Sequence, residues 1–244
     1  MVRWGMSLVA NKLQEIEERI RAAARRAGRS SAEIEIMAIT KTRSRDCVLE
    51  AFDSGLRLFG ENRVQEAIGK FVPNVPGIRL HLVGHLQRNK AKLAALHFDE
   101  IESIDKIETI DALLRHLPDG RNSYDVLIEV NTSGEVSKSG VEDADSLRRL
   151  LEDIRKRDGI RVRGLMTIAP FTDDEPRIRN AFANLRKLLP IAREEFDMIE
   201  AVTLSMGMSG DFETAIEEGA NRIRLGTVLF GSRTTQAVQS KGSA

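Results

Sequence analysis

The sequence predicts a (β/α)8 TIM barrel with one extra helix in front, and three observations carry that reading. Eight β-prone runs alternate with helical patterns along the 244 residues, which calls for parallel strands joined by helical crossovers. Eight such units suit a chain of this length when the sheet closes on itself. An open doubly wound sheet is the alternative, but no Gly-x-Gly-x-x-Gly follows a strand, so the dinucleotide fingerprint is missing. No linker rich in Pro, Gly or Ser divides the chain. Residues 1–233 read as one domain, and the small polar stretch 234–244 as a disordered tail.

Each element has its own signal. Ser7 caps a helix with Val9, Leu13, Ile16, Ile20 and Ala24 at helical spacing, and Gly28 stops it. The first strand spans 34–41. Ser44 opens a helix that ends at Gly55, and a second strand at 56–59 leads through Gly60-Glu61-Asn62 into a helix at 64–71. A strand at 79–83 stops at Gly84, followed by a helix at 89–96, a strand at 100–104 and a helix at 107–117. The rhythm continues with a strand at 125–131 and a helix at 145–157 bearing Leu147, Leu150, Leu151 and Ile154. Next come a strand at 161–168 and a long helix at 176–196 that Pro190 should kink. Strands at 201–205 and 222–225 flank a last helix at 211–218.

Composition excludes several classes. Charge is balanced at 37 basic and 37 acidic residues, against a nucleic-acid protein held by a net positive field. The lone Cys47 allows neither an intramolecular disulfide nor a multi-cysteine metal site, and a reducing cytoplasm suits it. His81 and His85 fall on a strand and the loop after it, so helical metal-ligand spacing does not apply. No apolar run reaches membrane-spanning length, and the first residues lack a signal-peptide core. The outward helix faces are charged, which makes a monomer the default.

In such barrels the site lies where the strands end. On the first strand Met37, Ile39 and Lys41 share one face, with Ile36, Ala38 and Thr40 on the other. An amine closing an apolar row loses hydration, which disfavours its charged form and leaves a nucleophile for an aldehyde. The plain alternative is a lysine that reaches water; Lys90 and Lys138, in loops at the same end, compete for the role. The eighth strand ends in Gly226-Thr227, where glycine lets backbone N–H groups approach an anion. Strand seven ends in Ser205-Met-Gly-Met-Ser209 and adds a hydroxyl. Alternatively, Gly226 only turns the chain and Ser209 only caps a helix. Arg222 and Arg224 share the face opposite Ile223 and Leu225. With the aliphatics outward, Arg224 points into the barrel mouth and needs an acceptor, either a carboxylate such as Glu129 or a ligand ring nitrogen. Together these features describe a pyridoxal 5′-phosphate (PLP) site. Ser205, Gly226 and Thr227 take the phosphate, Lys41 the aldehyde and Arg224 the ring nitrogen.

Eight stretches sharpen this. They are Ala38-Ile-Thr-Lys-Thr42, Phe59-Gly-Glu-Asn-Arg-Val-Gln-Glu66, His81-Leu-Val-Gly-His-Leu-Gln-Arg-Asn-Lys90, Val126-Leu-Ile-Glu-Val-Asn131, Ser137-Lys-Ser-Gly140, Arg163-Gly-Leu-Met-Thr-Ile168, Leu204-Ser-Met-Gly-Met-Ser209 and Arg224-Leu-Gly-Thr-Val-Leu-Phe-Gly231. In them the chain resembles the pyridoxal phosphate homeostasis proteins, also called proline synthetase co-transcribed homologues. Arg63 departs from the pattern, which often has tyrosine there.

The resemblance implies a single barrel like the N-terminal domain of alanine racemase, the type III fold of PLP enzymes. It also implies an imine on Lys41, with Asn62 and Met166 lining the cofactor. The function implied is binding, buffering or carrying PLP, with cofactor-free PLP enzymes as recipients and no established turnover. The residues agree. Arginine stays charged and does not give up a proton to the ring nitrogen, so the ring is a weak electron sink. A racemase of this fold needs a second acid/base on the far face of the imine, which alanine racemase takes from a tyrosine of another domain and subunit. Tyr124, the one tyrosine, falls at the start of strand five, the wrong end of the barrel. Two alternatives stand: a PLP-dependent amino-acid racemase or related enzyme with Lys41 as base, or a barrel for a phosphorylated metabolite without any imine.

Overall fold

The computed structural model describes residues 7–135 and 138–231, so Ser137 and the 234–244 tail lie outside the described residues. Eight parallel strands close into a barrel in sequence order, with the first pairing to both the second and the eighth. They are β1 Glu35–Ile39, β2 Leu58–Glu61, β3 Arg79–Leu82, β4 Glu100–Ile104, β5 Tyr124–Glu129, β6 Ile160–Met166, β7 Thr203–Ser205 and β8 Arg222–Leu225. Around them lie α1 Leu8–Arg26, α2 Arg45–Asp53, α3 Val64–Phe71, α4 Ala91–His97, α5 Ile107–Leu114, α6 Ala144–Arg155, α7 Glu175–Pro190, α8 Phe212–Glu217 and α9 Thr227–Phe230.

Local chemistry sets the helix starts. Ser7 Oγ accepts from the Ala10 N–H, and Ser44, Asp143 and Asp174 cap α2, α6 and α7 in the same way. The helix after β8 is a single turn. The leading helix α1 packs against α8, α9 and α2, and so fills the ring position that a full eighth helix would take.

Several boundaries differ from the pattern reading, and three of the differences have a visible local cause. Strand β1 stops at Ile39, two residues short of Lys41, because Thr40 to Arg43 form a tight turn closed by Arg43 N–H to Thr40 O at 2.9 Å. Strand β2 begins at Leu58 because Leu56 is used to close α2, its N–H bonding to Ala51 O past Gly55 at φ 105°. Pro190 does not simply kink α7. Lacking an N–H, it ends the α-helical ladder, and residues Ile191–Glu195 continue as a wider π turn.

Strand parity divides the molecule into two interiors. Outward-facing Ala38, Phe59, Val126, Leu165, Ile223 and Leu225 join helix residues such as Ile16, Leu151, Phe182 and Leu185 in one apolar cluster. Burial of that shell is the main source of stability. Inside the barrel lie Met37, Leu58, Leu127 and Met166, buried but apart from that cluster, together with His81, Glu100, Glu102, Ser205, Arg222 and Arg224. The inner space is therefore largely ionic, and that positions the site above it.

Candidate functional site

Lys41 sits half-buried in the turn after β1, not on the strand, and its side chain makes no hydrogen bond among the described residues. Barrel closure pairs Ala38 with Leu225, which carries the Lys41 turn to the same rim as Gly226 and Thr227. Gly226 stands against Ile39; a Cβ there would lie 3.5 Å from the Ile39 carbonyl oxygen. Arg43 ties the two loops together by donating to Gly231 O at 2.5 Å.

The N–H groups of Gly226 and Val228 converge on Ser209 Oγ at 3.4 and 3.2 Å. Both bonds are longer than the usual 2.9 to 3.0 Å for an amide donor, so these N–H groups retain capacity for an anion. Ser205 is placed elsewhere. Its buried hydroxyl donates to Glu102 Oε2 at 2.6 Å and accepts from Arg224 Nη1 at 2.9 Å, below the rim. Ser205, read as a phosphate contact, thus turns its hydroxyl into the barrel, whereas Ser209 Oγ lies at the Gly226 turn.

Arg224 points inward, and its protein acceptors are neutral. Nη1 donates to Ser205 O at 2.7 Å and Nη2 to Thr167 O at 2.7 Å. Glu129, the carboxylate considered as its partner, makes no hydrogen bond to it and acts only through its charge. Burial pulls the Arg224 guanidinium below its ordinary value, against the opposing pull of Glu102, Asp211 and Glu129.

Beneath Arg224 is a second ion layer. Arg222 Nη1 donates to Glu102 Oε1 at 2.7 Å and to Glu100, and its Nε to Glu35 Oε2 at 3.1 Å. His81 Nδ1 lies 3.1 Å from Glu102 Oε1 and 3.3 Å from Glu100 Oε1. Burial opposes charging His81, but those carboxylates prevail and hold it above its ordinary value. The three groups have the spacing of metal ligands. The Arg222 guanidinium already occupies the carboxylate oxygens, so the cluster reads as an internal ion network.

A cavity of about 240 Å³ opens at the C-terminal mouth, lined by Asn62, Gly84, His85, Glu129, Asn131 and Lys138 among others. A Cβ on Gly84 would lie 2.2 Å from Asn62 O, so glycine is required for β3 to seat Asn62 at the mouth. Met166 is fully buried at the top of β6, beside Ser205 in register. Lys138 Nζ is occupied by Ala169 O at 2.9 Å and Glu135 at 3.1 Å. Lys90 and Arg63 line an adjoining groove.

Burial, then Asp105, push the Glu129 carboxyl up to about 7, with Arg224 pulling the other way. Between its ordinary value of 4.5 and 7 it is protonated when folded and ionised when unfolded, so stability falls as pH rises across that window. Glu129→Gln is expected to flatten this part of the profile and to gain at most about 3 kcal/mol at pH 8. Urea unfolding at pH 5 and pH 8 checks this; a variant as pH-sensitive as the parent would contradict it.

A family model described as the N-terminal domain of alanine racemase matches residues 12–234. A pyridoxal phosphate homeostasis protein from Pseudomonas aeruginosa is 41% identical over 230 residues, covering 93% of this chain and 97% of that protein. The chain belongs to the pyridoxal phosphate homeostasis protein family. PipY of Synechococcus elongatus, solved with PLP bound, is 32% identical with a TM-score of 0.79, over 91% of this chain and 100% of that one. Alanine racemase from Corynebacterium glutamicum is 17% identical with a TM-score of 0.68, over 91% of this chain and 62% of that one, a likeness of fold alone.

For this member of the pyridoxal phosphate homeostasis family, the structure adds contacts at the mouth that pattern reading does not assign. Ser209, for which a plain helix cap is the alternative reading, reaches the Gly226 turn. Asp105 has a buried Oδ1 without a hydrogen-bond partner and raises Glu129. Lys70, Glu61 and Glu66 surround the Lys41 turn; Glu66 and Lys70 are an i,i+4 pair on α3, but only the fold brings that pair to Glu61 and the Lys41 turn.

Proposed function

We propose that the chain binds pyridoxal 5′-phosphate through Lys41 and holds or hands on that cofactor, without turnover of its own. The observation that carries this is the juxtaposition, just past the ends of paired strands β1 and β8, of a half-buried amine with a glycine turn whose N–H groups make only long hydrogen bonds to Ser209. The donor set fits the group: a primary amine for the aldehyde, amides and Ser209 or Thr227 for the phosphate, and Arg224 beneath for the ring nitrogen. Asn62 and Met166 lie on the same mouth. Attachment is an addition of Lys41 Nζ to the aldehyde carbon; C=N replaces C=O and one water leaves.

Arg224 favours storage over chemistry. A guanidinium donates a hydrogen bond to the ring nitrogen but not its proton, so carbanion stabilisation is weak. Tyr124 is buried at the start of β5, its hydroxyl donating to His116 O at 2.9 Å, remote from the mouth. One observation favours the racemase alternative: Glu129, an acid with a value near neutrality, faces the mouth cavity. Incubation of the loaded protein with L-amino acids in deuterated water decides; the carrier reading expects no α-proton exchange above free PLP.

We read the protein as a cytoplasmic monomer that passes PLP to cofactor-free enzymes. No helix among the described residues is long and apolar enough to cross a membrane. Titration with PLP is expected to give a visible absorption band that saturates at one equivalent per chain. The loaded protein should then restore activity to a cofactor-free PLP enzyme. The absence of a saturable band would overturn the reading.

A further inference from the structure

The turn that bears Lys41 is gripped from both sides by a buried ion cluster. We propose that Glu61, Lys70 and Glu66 are positioning residues that fix the Lys41 backbone for attachment of an aldehyde. This rests on the reading of Lys41 given above.

Thr40 and Thr42 flank Lys41, and each is held. Lys70 Nζ, near the end of α3, donates to Thr40 O at 2.5 Å, to Glu61 Oε1 at 2.6 Å and to Glu66 Oε1 at 2.9 Å. Those three bonds use every proton of the ammonium group. Thr40 Oγ1 donates to the same Glu61 oxygen at 2.6 Å, and the Thr42 N–H donates to Glu66 Oε1. One carboxylate thus takes the residue before Lys41, the other takes the residue after it, and Lys70 joins them.

Two features mark the clamp as more than packing. Thr42 has φ 64°, a left-handed conformation that costs a β-branched residue about 1–3 kcal/mol and persists only where the surroundings impose it. Glu61 is fully buried, yet its Oε2 has no hydrogen-bond partner among the described residues. All bonding by that carboxylate therefore runs through Oε1 to Thr40 and Lys70. Buried ion pairs are weak stabilisers compared with apolar packing of the same volume, whereas they fix geometry closely. Attachment needs the amine held in line with the aldehyde carbon, and a displacement of about 1 Å costs orders of magnitude in rate.

The test uses Lys70→Met, which removes the hub, and Glu66→Ala, which removes the Thr42 acceptor and one of the three Lys70 acceptors but leaves Lys70 on Glu61 and Thr40. Lys70→Arg serves as the conservative rescue. In the cofactor-free variants, amide hydrogen exchange at Thr42 should accelerate about tenfold or more while core amides are unchanged. The rate of PLP-dependent band formation, and the borohydride-trapped yield at Lys41, should fall about tenfold or more. Affinity for pyridoxine 5′-phosphate, which has the phosphate and ring but no aldehyde, should stay within a factor of two or so of wild type. Unchanged Thr42 exchange in a folded variant would overturn the clamp. Faster exchange with an unchanged attachment rate would overturn its positioning role alone. If the wild-type protein itself forms no adduct at Lys41, the attachment reading fails and this proposal with it.

Discussion

Replacing Arg222 by leucine is expected to destabilise the barrel by about 3–5 kcal/mol, the usual result of stripping one partner from a buried ion network. Its guanidinium bridges Glu35, Glu100 and Glu102, and both Glu100 and Glu102 are buried inside the strands. Without it, Glu100 and Glu102 of β4 keep His81 as their hydrogen-bonded counter-charge, and Glu35 of β1 keeps Arg79. Burial alone would raise the Glu102 carboxyl, but Arg222, then His81, hold it well below the usual carboxylate range. Glu35 is likewise lowered, again against burial, by Arg222 and then Arg79. Groups depressed in the folded state contribute stability above their unfolded value near 4.5, and it is lost as pH falls through their folded values. The leucine variant forfeits that contribution, so its deficit should be largest at pH 7 and shrink toward pH 4. Urea unfolding at both values measures it; a deficit equal at both, or below about 1 kcal/mol at pH 7, would contradict the network's role.

Lys41→Ala should act in the opposite way, leaving the fold intact and abolishing attachment. The side chain is half-buried and makes no hydrogen bond among the described residues, so unfolding free energy should change by about 0.5 kcal/mol or less. The visible band should disappear entirely. Residual affinity would come from the amides of Gly226 and Val228 and from Arg224, weaker by about tenfold or more, which is at least 1.4 kcal/mol. Equilibrium dialysis and absorption spectra separate the two quantities. A variant that keeps the band would mean that another lysine bears the aldehyde.

Much of the fold was legible because barrels write themselves as alternation. Glu100–Ile104 and Arg222–Leu225 were bounded correctly from their β-prone composition, and Val64–Phe71 from its helical spacing. Two of the misplaced ends share a cause, turns that recruit strand residues. Leu56 completes the α2 turn, and Thr40 to Arg43 fold back once β1 has passed Ile39.

The site was legible only in part. Lys41, Gly226 and Thr227 are brought to one rim because β1 and β8 are neighbours in a closed barrel, an adjacency that follows from the fold class alone. Read from sequence, Ser205 is favoured over Ser209 for the rim, but which hydroxyl faces it depends on where the three-residue β7 stops. Of the clamp, the sequence shows the i,i+4 pair Glu66 and Lys70; its link to Glu61 and Thr40 emerges only when α3 is laid over the end of β1. The floor network did leave a trace: Glu100 and Glu102 share a parity, as do Arg222 and Arg224. That trace becomes a pairing only when closure sets β4 across from β8.

The most direct test of the central claim is borohydride reduction of the PLP-loaded wild-type protein, followed by digestion and mass analysis of the peptides. A single phosphopyridoxyl group on Lys41 is the predicted result. A group found mainly on Lys90, Lys138 or Lys70, or no stable adduct at all, would contradict it.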